Sequence, residues 1–139
     1  SRNVIPGGVK FSIDLRNSTD ALVDQMADEV KAFAAKVGQE HGVDVKIEMV
    51  SSYNAIAFHE NCVDAVGRAA RKLGYSNMPA VSGAGHDAVY MAKLAPSGMI
   101  FIPCKDGISH NEIEDAKPEH ITAGCNVLLH AMLERAKVV

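Results

Sequence analysis

The sequence predicts an α/β protein. Two period-two apolar runs flank an amphipathic helix in the first third, and an uninterrupted apolar run lies between helical segments later on. A shift in character near residue 53 divides the chain into a half-exposed β-α-β unit over 1–53 and a second α/β unit over 54–139.

Asn3-Val4-Ile5-Pro6-Gly7-Gly8 is turn chemistry. Val9, Phe11, Ile13 and Leu15 then alternate with Lys10, Ser12, Asp14 and Arg16, which predicts a strand with one buried and one polar face. Asp14 and Arg16 share the polar face. Asn17 to Asp20 offers N-cap residues and early negative charge. Leu22, Val23, Met26, Val30, Phe33, Ala34 and Val37 recur at helical spacing, with Gly42 as the left-handed stop. Val43, Val45, Ile47 and Met49 alternate with charged residues and predict a second strand.

After Ser51-Ser52-Tyr53-Asn54, a helix runs from about Cys62 to Gly74. Met78 to Val81 is a short apolar stretch, followed by the turn Ser82-Gly83-Ala84-Gly85-His86-Asp87 and a short helix from Val89 to Leu94. Gly98 to Pro103 is apolar without alternation, as a strand covered on both faces would be. A polar loop follows from Cys104 to His110. The last helix starts near Pro118, since proline suits a first helical turn. Neither unit supplies a full sheet, so both call for further strands or a partner.

The 139 residues carry a net charge of −3, with 47% hydrophobic and 22% charged residues. That balance is globular and offers no basic stripe for nucleic acid. No apolar run approaches the roughly 20 residues of a membrane span, and the start lacks the shape of a signal peptide. Three widely spaced cysteines without a CxxC pair suggest no disulfide framework, so a reduced, cytoplasmic protein is expected.

Six histidines are present, and two, His86 and His110, sit in glycine-containing loops after apolar segments. Ligands collect at such strand ends in α/β sheets. The bland alternative for each is a loop histidine bonded to backbone. Asp106-Gly107-Ile108-Ser109-His110 combines carboxylate and imidazole, a metal-ligand chemistry, without the three ligands a catalytic zinc needs. The glycines of the 82–88 turn let backbone N–H groups approach an anion. That string also fits G-x-G-x-x-A with Asp106 after the next strand, a dinucleotide-binding alternative that Asp87 would oppose. A plain strand-to-helix turn is the third reading. Arg16 offers a planar fork for a carboxylate, or is simply solvated. Cys104 near His110 reads more simply as a buried cysteine ending a strand than as a nucleophile.

Taken together, Asn3-Val4-Ile5-Pro6-Gly7, Asp14-Leu15-Arg16, Ser82-Gly83-Ala84-Gly85-His86-Asp87-Ala88, and Gly98 to Pro103 leading to Asp106-Gly107-Ile108-Ser109-His110 resemble the metal-dependent amidohydrolases of the allantoate amidohydrolase and N-carbamoyl-L-amino-acid hydrolase type. The resemblance covers nearly the whole chain. It implies a two-metal α/β catalytic domain carrying an inserted lid, and a homodimer formed through that lid. Residues 1–53 would be the second half of the lid and 54–139 the C-terminal part of the catalytic domain. His110 matches a metal ligand. Asn3 and Arg16, with Gly83, Ala84, Gly85 and His86, match substrate-binding positions. The other ligands of the two divalent ions (zinc, manganese, cobalt or nickel) and the general-base glutamate would lie upstream, so this chain alone is expected to be inactive. The substrate implied is a small carbamoyl or ureido carboxylate. An aminoacylase- or dipeptidase-like hydrolase, a nucleotide-binding module and a non-catalytic dimerisation module are the alternatives.

Overall fold

The computed structural model describes residues 2–137. Ser1, Val138 and Val139, at the outer ends of the two predicted domains, lie outside the described residues. The chain divides into two compact units between Ala55 and Ile56.

The first unit is organised by helix α1, Asp20–His41. Thr19 is extended at the N-cap, and Asp20 places a carboxylate in the first turn, where the helix dipole favours it. One Asp20 oxygen accepts the Ala55 N–H at 2.7 Å, tying the unit's end to the helix start. Gly42 closes the helix at φ +62°, a conformation glycine adopts without penalty. The chain then turns back along the helix, with the Val43 N–H bonded to the Gly38 carbonyl at 3.0 Å. Gly38 permits that approach: a Cβ there would lie 2.9 Å from the Val43 carbonyl oxygen and 3.1 Å from Val45 Cγ2.

The second unit is built on α2, Glu60–Lys72, and α4, Pro118–Arg135. His59 caps α2 by accepting the Asn61 N–H on Nδ1 at 3.2 Å, and Pro118 opens α4 as its sequence position predicts. Ala65, Ala69 and Ala70 of α2 are buried with Val127 and Ala131 of α4, and Val66, Leu73, Tyr75 and Ile100 pack around them. Small side chains let the helices close in, and polar links finish the contact. Arg68 donates to one Glu134 oxygen from Nε at 3.1 Å and Nη2 at 2.6 Å. Asn126 donates to the Tyr75 hydroxyl at 3.3 Å.

Segment 98–102 rests against both helices through glycines. A Cβ on Gly98 would come 3.1 Å from Cys62 Cβ, and one on Gly124 would come 2.7 Å from Ile102 Cγ2. An open apolar groove of about 720 Å³ runs beside this contact, bordered by Ile100, Ile102, Ile121 and Leu128. A short helix α3, Ala88–Ala92, and a 3-10 turn at Lys105–Gly107 complete the regular structure.

The four predicted helices are present near their predicted bounds, but the predicted strands are not, nor does the apolar stretch 78–81 form one. Residues 9–15, 43–49, 78–81 and 98–103 carry no strand pairing among the described residues. A strand is made by its neighbours, and no backbone hydrogen bond joins 9–15 to 43–49 or 78–81 to 98–103. The predicted buried faces are correspondingly open, with Phe11 76% and Phe101 54% exposed. The β-α-β layout of the first unit is thus one helix between two unpaired segments. His120 and His130 are half-buried on α4.

Crowding at Gly38 costs about 1–3 kcal/mol, more than the roughly 1 kcal/mol by which alanine favours a helix, so Gly38→Ala lowers the urea midpoint. At Gly67 a Cβ meets only the movable end of Arg71, 3.2 Å away, so Gly67→Ala raises it. The Arg68 hydrogen bonds hold the Glu134 carboxyl below its ordinary value of 4.5. A depressed carboxyl stabilises the fold above its unfolded value and ceases to do so as pH falls through the folded one. Glu134→Gln therefore destabilises the protein at neutral pH, and the gap between the two urea midpoints closes in strong acid.

Candidate functional site

The 82–87 turn is held by its own serine. Ser82 Oγ and His86 Nε2 are hydrogen-bonded at 2.7 Å, and the same hydroxyl accepts the Ala84 N–H at 3.2 Å. The Ala84 N–H is therefore used inside the turn. The His86 carbonyl accepts the Val89 N–H, and Asp87 accepts from Tyr90 and Met91, which starts α3. The His86 ring meets Phe101 edge-on, with centroids 5.5 Å apart. An edge-to-face pair contributes about 0.5–1.5 kcal/mol beyond area burial. It joins the turn to the segment that feeds the His110 loop.

That loop is shaped by backbone conformations rare for side-chain-bearing residues. Asp106 has φ +55° and His110 φ +56°, with Gly107 at +70°. The Lys105 N–H donates to the Asp115 carbonyl at 2.7 Å, and Lys105 Nζ lies 3.6 Å from an Asp115 carboxylate oxygen, which closes the loop base. The His110 N–H donates to a Glu114 carboxylate oxygen at 2.8 Å. His110 is exposed. Glu114 and Ser82 were not among the candidates read from the sequence. Their only linear trace is a spacing of four residues from a loop histidine, which outside a helix signals nothing.

In the first unit, Asn3 and Arg16 are both exposed. Arg16 donates to Asp14 from Nε at 3.1 Å to each oxygen and from Nη2 at 2.6 Å. These hydrogen bonds lower the Asp14 carboxyl and raise the Arg16 guanidinium from their ordinary values. The pairing fits the shared polar face predicted for these two residues. Asp14 orients a guanidinium whose planar fork can bind a carboxylate.

Among the described residues, no three His, Cys, Asp or Glu side chains gather into a group that could hold a metal ion. The exposed imidazole of His110 suits one ligand position, not a whole cage. The dinucleotide reading of the glycine turn is weakened by the helix that follows it, since α3 runs only five residues and Asp87 caps it with negative charge. No described helix is long and apolar enough to cross a membrane.

Comparison with known proteins places these features in one family. The profile of peptidase family M20/M25/M40 matches residues 3–134. An N-carbamoyl-L-amino-acid amidohydrolase of Rhizobium meliloti is 48% identical over 139 residues, all of this chain and 33% of that protein. An allantoate amidohydrolase of Bacillus subtilis is 29% identical over 134 residues, 96% of this chain and 32% of that protein. The crystal structure of a hydantoinase/carbamoylase family amidase from Burkholderia multivorans superposes with a TM-score of 0.84 at 49% identity, covering 86% of this chain and 29% of that one. The chain spans about a third of the length of the curated relatives it matches. With the match running almost end to end, the chain belongs to peptidase family M20/M25/M40.

Proposed function

We propose that this chain forms part of a metal-dependent amidohydrolase that cleaves the C–N bond of a carbamoyl or ureido group in a small carboxylate substrate, an N-carbamoyl-L-amino acid or allantoate. The observation that carries this reading is the 48% identity to an N-carbamoyl-L-amino-acid amidohydrolase over all 139 residues of the chain.

Each residue has a task in that reaction. Arg16, oriented by Asp14, binds the substrate carboxylate through charge-assisted hydrogen bonds, and Asn3 adds a neutral amide partner. The turn at Gly83, Ala84 and Gly85 brings backbone close to the substrate, with His86 pinned beside it by Ser82. His110 provides one ligand to a two-ion site whose other donors, like the general base, lie outside this chain. Zinc, manganese, cobalt and nickel all suit such mixed donors. When bound, the divalent ions supply Lewis acidity that polarises the carbonyl and makes water a better nucleophile. Residues 1–53 act as half of a lid through which two copies pair, in keeping with the exposed apolar residues of 9–13. Free thiols at Cys62, Cys104 and Cys125 suit a cytoplasmic setting.

The test is kinetic and analytical, in the hydrolase that carries this sequence. Arg16→Ala raises KM for an N-carbamoyl amino acid about tenfold or more, as loss of a charge-assisted bond predicts, and leaves metal content intact. His110→Ala lowers the metal bound per chain, read by elemental analysis. The 139-residue chain alone shows no turnover. An unchanged KM removes Arg16 from the site, and full metal occupancy in the His110 variant removes His110 from the ligand set.

A further inference from the structure

The loop around His110 contains a carboxylate whose backbone bond reaches the one residue proposed to face a metal. His110 is held at φ +56°, a conformation that crowds Cβ against the carbonyl oxygen and that only a few per cent of residues bearing a side chain adopt. Such strain persists only where the surroundings over-determine it, and it gathers at functional sites. Here the surroundings are specific. The Glu114 carboxylate accepts the His110 N–H at 2.8 Å. Between the two, Asn111 accepts the Ile113 N–H on its side chain at 3.1 Å and the Glu114 N–H on its carbonyl at 3.0 Å. The next residue, Asp115, is fixed to Lys105 by the 2.7 Å bond across the loop base. Glu114 thus reaches residue 110 from an anchored stretch of chain.

We propose that Glu114 is a positioning residue for His110: its carboxylate locks residue 110 in the left-handed conformation and so fixes the direction in which the imidazole is presented to a divalent cation. The proposal rests on the reading of His110 as a metal ligand. Partners outside the ligand set commonly orient metal-binding histidines. This one works through the backbone, not through the second ring nitrogen. Because the held group is an N–H, a neutral acceptor of the same length can replace the carboxylate, whereas a methyl group cannot.

The experiment uses the hydrolase that carries this sequence, its Glu114→Ala variant and its Glu114→Gln variant, with manganese(II) as the probe. Manganese broadens nearby proton resonances even when it binds weakly, so the His110 ring signals report approach to that one side chain. In Glu114→Ala the His110 amide exchanges with solvent about tenfold faster as its partner is lost, and broadening of the His110 ring requires several-fold more manganese. Glu114→Gln matches the parent in both readouts, which also separates the effect from direct binding of manganese by the carboxylate. Parent-like behaviour of Glu114→Ala in either readout overturns the proposal. So does a Glu114→Gln chain that behaves like the alanine variant, because charge and not the held backbone would then be at work. If the parent's own His110 signals are untouched by manganese, the ligand reading fails along with the proposal. If they broaden equally in all three chains, the ligand reading stands and the role of Glu114 falls.

Discussion

The close approach of α2 and α4 governs the second unit. It is made by Ala65, Ala69 and Ala70 against Val127 and Ala131, side chains too short to hold two helices apart. Residues of this size contribute little apolar area each, so the contact depends on fit. The fit extends beyond the helices. Gly98 lies against Cys62 and Gly124 against Ile102, so segment 98–102 takes its position from both helices at once. Everything proposed for the site in this unit is reached through that segment: Phe101 touches the His86 ring, and the chain running on from Pro103 forms the loop that ends at His110. The alanine contact is therefore the base on which both loops stand.

The helices were legible because their signals are local. Thr19-Asp20 before an apolar stripe and Gly42 after it bound α1 without reference to the rest of the molecule, and Pro118 does the same for α4. The strands were not legible in the same sense. Alternation over Val9 to Leu15 states which residues would share a sheet face, but pairing is a property of two segments, and no partner ladder forms among the described residues. The same division holds at the site. His86 and His110 could be singled out because glycines and apolar segments surround them. The hydroxyl that pins His86 and the carboxylate that grips the His110 backbone could not, since a four-residue separation in irregular chain has no periodic signature.

The two units present charge differently. In the first, Arg16 is already engaged by Asp14 across two residues, an exposed pair that water screens heavily. Its effect is on orientation more than on stability, because the Asp14 carboxylate fixes the plane of the guanidinium. In the second, Arg68 and Glu134, 66 residues apart in sequence, join two helices, and that pair stitches the scaffold. Similar chemistry thus orients an exposed guanidinium in one unit and closes a helix contact in the other.

Gly124 has a further consequence. It sits mid-helix on α4, remote in sequence from both loops, yet the nearest atom to any added methyl there is a branch of Ile102, whose side chain has few rotamers to retreat into. Relief would have to come from the main chain at 102, one residue from the edge-on ring contact and eight from the strained histidine. A helix position with no chemistry of its own is in this way a mechanical lever on the two loops, because whatever moves residue 102 moves the stretch that joins them.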